Sequence, residues 1–321
     1  MGISVVITTY NRAELLQATL EQLRRQQYEA RDEVIVVDNA SSDDTPAVIA
    51  RAALDFPARL TALREIRPGK TPALNAGIAA SRGDVLALTD DDVMVAGDWM
   101  ATIRRLFADP SLDLVGGRVD PLWERPAPRW LRVELNERYD GMASPLALLH
   151  YGEPQPLGGK TAVGANMAVR RSVHDAIGGF APHLGRRRGT LMCGEDHDFC
   201  LRAAVAGFRC EYRPELRVRH HVPAARATLR YYVRWFFWSG VTNAMLRGAG
   251  ERPANGGPLA RYFARRLVST PLAGMRHLTR RRYPEAAAEL MDAAYAAGYL
   301  AARAGQRRQS ARSGHPAVQK L

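Results

Sequence analysis

The first third of the chain alternates between two hydrophobic patterns. Continuous apolar runs, "ISVVIT" (3–8), "EVIVVDN" (33–39), "LTALREI" (60–66), "DVLALTD" (84–90) and "LDLVGGRV" (112–119), predict strands. Between them, "RAELLQATLEQLRRQ" puts Leu15, Leu16, Ala18, Leu20 and Leu23 at helical spacing. "SSDDTPAVIARAA" opens on helix-capping residues, and "KTPALNAGIAAS" and "GDWMATIRRLFAD" continue the series of helices. Strands that are apolar throughout and alternate with helices predict an α/β fold, a mostly parallel sheet covered on both faces. This unit spans about residues 1–120.

Periodicity lapses over the next forty residues, which are rich in proline and aromatics and read as an irregular excursion. It returns at "AVGANMAVRRSVHDAIGGF" and in the helix "GEDHDFCLRAAVAG". Two short strands, "FRCEYRP" and "LRVRH", and an aromatic helix, "ATLRYYVRWFFWSGVTNAML", follow. Two more helical stretches lie beyond residue 250. The expected organisation is a catalytic-sized domain over 1–248, in halves 1–120 and 121–248, a helical extension over 249–304 and a disordered tail over 305–321. No internal repeat is visible.

Composition narrows the class. At 321 residues and 46% hydrophobic content, a sizeable core is available. No run of 18 apolar residues occurs, so no membrane-spanning helix is expected. The start, "MGISVVITTYNR", has neither a basic leader nor a cleavage site, so no secretory signal is expected. Cys193, Cys200 and Cys210 form no CxxC pair, which suits a reducing cytoplasm better than a disulfide scaffold. With His197 they also lack the paired spacing of a zinc site. The net charge of +12 admits nucleic acid, an anionic membrane or a phosphorylated ligand, and many of the arginines fall in the C-terminal third.

Open parallel sheets bind ligands beyond the carboxyl ends of their strands. Three polar clusters fall there: "TTYNR" (8–12), "DNASSDD" (38–44) and "TDDD" (89–92). An acidic triplet alone also fits a surface turn. If it binds a metal, carboxylates suit Mg²⁺ or Mn²⁺, ions that share their shell with phosphate oxygens. Strand alternation directs Asp90 and Asp92 to one ion and Asp91 elsewhere. GxGxxG and GxxxxGK[ST] are absent, so nucleotide binding would use this carboxylate–metal route. In "CGEDHDFC", Glu195, Asp196 and Asp198 open a helix, where acids suit the dipole; one of them held ionised beside a hydroxyl is a general base.

These motifs resemble the family 2 glycosyltransferases of GT-A fold. "VVITTYNRAELLQATLEQL", "EVIVVDNASSDDT", "GKTPALNAGIAASRGDVLALTDDD", "VGANMAVRRSVHDAIGGF" and "GEDHDFCLRAAVAGF" come in family order. The resemblance implies inverting transfer of a sugar from a nucleotide-diphosphate donor to an acceptor hydroxyl. It implies that Thr8, Tyr10 and Arg12 line the nucleotide pocket and that Asp38 holds base or ribose. Lys70 and Asn75 fall in the donor-contacting helix start, and Asp91 is grouped with these donor contacts. Asp90 and Asp92 match the DxD, with Asp92 the more direct metal ligand, and His220 or His221 lies near metal or diphosphate. Asp196 matches the catalytic base, with Glu195 the alternative.

Gly164 and Asn166 either shape the acceptor and donor-sugar pocket or belong to a buried strand. Trp235 and Trp238 read as core rather than as sugar platforms. Of the QxxRW motif of polymer-making relatives only the RW of "YVRW" is present, which argues against processive synthesis. The basic C-terminal helices suit an anionic membrane surface, so a cytoplasmic protein, peripheral on the inner face of the membrane, is expected. The acceptor is a saccharide, a lipid-linked group or another hydroxyl. A nucleotidyltransferase would carry a Gly-rich loop after the first strand, and "TTYNRAE" has no glycine. A nucleic-acid-binding protein would carry basic–aromatic recognition motifs, and none is found.

Overall fold

The computed structural model describes residues 1–133, 140–186, 189–246 and 259–313. Strands β1 (Ile3–Thr9), β2 (Glu33–Asp38), β3 (Arg59–Arg64) and β4 (Val85–Asp90) alternate with helices α1 (Ala13–Arg24), α2 (Thr45–Ala53) and α3 (Lys70–Ala80). Next come β5 (Val93–Val95), α4 (Trp99–Leu106), β6 (Leu114–Trp123), α5 (Asp140–Ala143), β7 (Gln155–Pro156), β8 (Asn166–Arg170), α6 (Arg171–Ile177), α7 (Glu195–Val205) and β9 (Cys210–Val222). Helices α8 (Leu229–Leu246), α9 (Leu259–Thr279) and α10 (Tyr283–Ser313) close the chain.

The sheet runs in the order β3-β2-β1-β4-β8-β6-β9-β5, with β7 pairing β9. β1, β2, β3 and β4 are mutually parallel, as is the β6–β9 pair, while β8 is antiparallel to β4 and β6. The expected mostly parallel sheet is therefore present. β1, β2 and β4 are buried almost throughout because helices cover both faces, whereas the edge strand β3 is half exposed.

One expectation changes. The two short strands after residue 207 are one strand, β9. Its register against β6 jumps from Gly117↔Arg213 to Arg118↔Arg217, so the break suggested by Pro214 is a bulge inside a continuous strand. The described chain falls into two units. One unit comprises 1–126, 133–189 and 195–223; the other comprises 127–132, 190–194 and 224–321. The aromatic helix α8 thus groups with the C-terminal helices, against which its glycine packs. A Cβ on Gly240 would meet the backbone of Tyr295, and one on Gly298 would meet the backbone of Phe237, so α8 and α10 cross at a pair of glycines. Finally, α10 runs through residues 305–313 of the expected tail; residues 314–321 lie outside the described residues.

In the first unit, the packing of α3 positions chemistry. A Cβ on Gly77 would fall 2.6 Å from Val6 and 2.9 Å from Val37. The absence of a side chain lets α3 lie close on β1 and β2, which sets its first residue, Lys70, over their carboxyl ends. No described helix is long and apolar enough to cross a membrane.

Candidate active site

The acidic triplet sits where β4 ends. Strand pairing stops at Asp90, and Asp91–Asp92 form the turn into β5. Simple strand alternation therefore does not apply to Asp92; the turn sets its direction. The turn is pinned from below by the buried Thr19 of α1. Its hydroxyl donates to the Asp91 carbonyl at 3.0 Å and accepts from the Val93 N–H at 3.2 Å. Thr19 escaped the sequence reading, although a hydroxyl inside the stripe Leu16, Leu20, Leu23 was its signal.

The triplet carries its own positive partners. One Arg12 nitrogen lies 2.8 Å from Asp91 and 2.7 Å from Asp92. Lys70 Nζ lies 2.5 Å from Asp90. Burial works against the charge on Arg12, but Asp91 and Asp92 outweigh it and raise its pKa. Burial likewise opposes the charge on Lys70, and Asp90, Asp196 and Glu195 together overcome it and raise its pKa. Burial raises the pKa of Asp91, against the pull of Arg12.

β9 adds an imidazole. His220 pairs with Val93 across the β5–β9 ladder, and its Nε2 lies 3.1 Å from Asp92 Oδ1. Ligand atoms of Asp90, Asp92 and His220 lie within 4.8 Å of one another, the one such group of His, Cys, Asp and Glu among the described residues. Two carboxylates and an imidazole form a donor set that suits Mn²⁺ or Mg²⁺. His221 gives its backbone N–H to the Asp92 carbonyl at 2.8 Å, and its side chain stands outside that group.

Two loops frame the crevice. The Asn11 N–H donates to Ser41 Oγ, the Ser42 N–H to Asn11 Oδ1, the Arg12 N–H to Thr45 Oγ1 and the Ala13 N–H to Asp43 Oδ2. The loop after β1 is thus stitched to the loop after β2. Asn11 takes a left-handed conformation, φ 51°, to make the turn. Tyr10 is exposed and Thr8 half-buried on this rim. Asp38 is buried and accepts the Ser41 N–H at 2.9 Å. Its neighbour Asn39, in the same polar cluster, clamps the segment before Lys70. Its amide donates to the carbonyls of Glu65 and Arg67, and its oxygen accepts the Gly69 N–H.

The second acidic group opens α7. Asp196 Oδ2 accepts the Gly164 N–H at 2.8 Å, while Oδ1 is buried with no hydrogen-bond partner among the described residues. Burial and then Glu195 raise its pKa to about 7, against the opposing influence of Lys70 and the Gly164 N–H. Glu195 is itself buried. A Cβ on Gly164 would lie 3.2 Å from Asp196 Oδ1, so glycine gives the carboxylate its room.

Two amides named from the sequence, Asn75 and Asn166, are tied to groups distant in the chain. Asn75 donates to the Phe180 carbonyl at 2.8 Å and accepts its N–H at 3.0 Å. Asn166 is fully buried: it donates to the Arg118 and Leu216 carbonyls beside the β6–β9 bulge and accepts from Trp99 Nε1. His197 pairs through Nδ1 with Thr161 Oγ1 at 2.6 Å. Trp235 is buried in the second unit.

A sheet in this order, with an acidic turn after the fourth strand and a carboxylate opening a helix beyond it, has the GT-A architecture of glycosyltransferases. The chain belongs to glycosyl transferase family 2, whose family model matches residues 4–178. It is 29% identical over 249 residues to succinoglycan biosynthesis protein ExoM of Rhizobium meliloti, covering 77% of this chain and 75% of ExoM. It is 27% identical over 260 residues to the glucosyl-dolichyl phosphate glucuronosyltransferase of Haloferax volcanii, covering 77% of each. The chain spans only 25% of one further, much longer relative. Among solved structures, the mannosyltransferase PcManGT of Pyrobaculum calidifontis, in complex with GDP-Man and Mn²⁺, superposes with a TM-score of 0.56 at 24% identity. The match covers 98% of this chain and 80% of PcManGT.

Proposed function

We propose that the chain is an inverting glycosyltransferase that moves a sugar from a nucleotide-diphosphate donor to an acceptor hydroxyl in polysaccharide or glycoconjugate biosynthesis. The observation that carries this reading is Asp196: one oxygen is fixed by the Gly164 N–H, and the other is buried without a partner among the described residues. A carboxylate so arranged, with a pKa of about 7, suits the removal of a proton near neutral pH.

Asp196 takes the proton of the acceptor hydroxyl as that oxygen attacks the anomeric carbon. The bond from that carbon to the diphosphate oxygen breaks, and its electron pair leaves with the diphosphate. A single displacement from the opposite face inverts the configuration. Lys70, held at the crevice by Asp90, supplies positive charge to the departing diphosphate. Asp90, Asp92 and His220 would hold a divalent cation, which when bound supplies further charge neutralisation. The Mn²⁺ in PcManGT supports that choice of ion. The stitched rim of Thr8, Tyr10 and Asp38 would receive the nucleoside. Saccharide polymers and lipid-linked sugars are the favoured acceptors, because the names of ExoM and the Haloferax relative place those proteins in such chemistry. The small number of cysteines, three with no CxxC spacing, supports a reducing, cytoplasmic setting.

A screen of nucleotide sugars with Mn²⁺ or Mg²⁺ tests the reading. Metal-dependent hydrolysis of at least one donor is expected, and NMR of the first product should show an inverted anomeric centre. Retention of configuration, or thermal stabilisation by no nucleoside diphosphate, would sink it.

A further inference from the structure

Helix α9 has two faces of opposite character. Toward α10, the Phe263 ring sits 5.5 Å from Tyr295 and 4.6 Å from Tyr299. Arg266 pairs with Asp292 and Glu289, and Thr270 is buried. On the other side Val268, Leu272, Met275 and Leu278 are 76%, 68%, 58% and 53% exposed. Their spacing of four, three and three residues keeps them along one side of the helix. Such a row of uncovered aliphatic side chains is unfavourable in water.

Charge surrounds that row. Leu259–Thr279 contains no Asp or Glu. Arg261, Arg265 and Arg276 on the helix, and Arg280, Arg281 and Arg282 just beyond it, are all exposed and make no ion pair among the described residues. A second copy meeting it through the same face would bring two arginine-rich faces together without carboxylates. A nucleic acid would satisfy the arginines but leave the row facing water. A surface offering both anionic groups and hydrocarbon satisfies both at once.

We propose that the outer face of α9 docks in the plane of an anionic lipid surface. Val268, Leu272, Met275 and Leu278 enter the acyl boundary, and the flanking arginines meet lipid phosphates. The helix lies on the surface rather than crossing it, in keeping with its polar composition. This assignment stands independently of the sugar-transfer reading, since it uses no residue of the strand-end crevice.

The test is flotation of the full chain with vesicles of phosphatidylcholine, with and without phosphatidylglycerol. Binding is expected only to the anionic vesicles and should weaken with salt. The triple change Val268→Ser, Leu272→Ser, Met275→Ser should weaken it about tenfold or more, as lost apolar burial dictates. Arg261→Gln with Arg265→Gln and Arg276→Gln should weaken it by about tenfold or more as well. If the serine variant melts early, hydrogen exchange of wild-type 259–282 decides: anionic vesicles should slow it. Failure of the wild type to bind at low salt, or unchanged exchange, overturns the proposal. So does a wild-type dimer that the serine variant dissociates, which would assign the face to a second copy.

Discussion

In the crevice of the first unit, Arg12 and Lys70 each lie within 2.8 Å of a carboxylate, and Arg12 serves two. On α9 of the second unit, Arg261, Arg265 and Arg276 face solvent with no acid on their helix. The first arrangement balances buried charge: Asp91 and Asp92 are almost fully buried and are tolerable only with cationic partners. The second leaves an excess for something outside the chain. The net charge of +12 is therefore a poor guide to this crevice, where Asp90, Asp91, Asp92, Glu195 and Asp196 outnumber Arg12 and Lys70. The surplus belongs where the apolar residues are also uncovered.

The contrast breaks most visibly at the base. Asp196→Asn should lower transfer by about 10²–10⁴-fold while Mn²⁺ and nucleoside diphosphate still bind by calorimetry. Near-normal turnover would remove Asp196 from its role. Arg12→Ala comes next: it leaves Asp91 and Asp92 buried without their guanidinium and should cost about 3–5 kcal/mol in denaturant unfolding. If that cost is negligible, the crevice charges are not balanced as described. Gly164→Ala crowds the Asp196 carboxylate and should cut kcat by about tenfold, with little change in melting temperature.

pH sharpens the same contrast. Because burial and Glu195 raise the Asp196 pKa to about 7, kcat/KM should fall as pH drops below that value and level off above it. The folded pKa lies above the ordinary carboxylate range, so the folded chain binds that proton more tightly than the unfolded one. Its stabilising effect is complete at acid pH and is lost as pH rises through about 7, and Asp196→Asn should flatten that slope in melting curves. The smallest effect is expected at the other pole. Arg276→Gln should change stability by less than about 0.5 kcal/mol and leave hydrolysis of a soluble donor unaltered.

Much of the first unit could be read in the sequence because β1, β2 and β4 are buried on both faces and so appear as unbroken apolar runs. The three residues of β5 are too few to show a period, and Pro214 disguised the continuity of β9. The acidic triplet announced itself, but choosing His220 over His221 needed the β5–β9 register. The partners of Asn75 and Asn166 are invisible locally because they are remote: Phe180 is 105 residues from Asn75, and Leu216 is 50 from Asn166. Asn39 and Thr19 act through single amide or hydroxyl groups on distant backbone, so the polar cluster and the interrupted apolar stripe that mark them do not name their partners. The membership of α8 in the second unit depends on its crossing with α10 at Gly240 and Gly298, 58 residues apart in the chain.

The four hydrogen bonds that stitch the loop after β1 to the loop after β2 bear on timing. Tied at Asn11, Arg12 and Ala13, the two segments should relax as one body, with a single opening rate. Asn11→Gly should keep the turn's left-handed backbone and its N–H bond to Ser41 while removing the Asn11 Oδ1 tie to the Ser42 N–H, and should speed that opening in relaxation measurements.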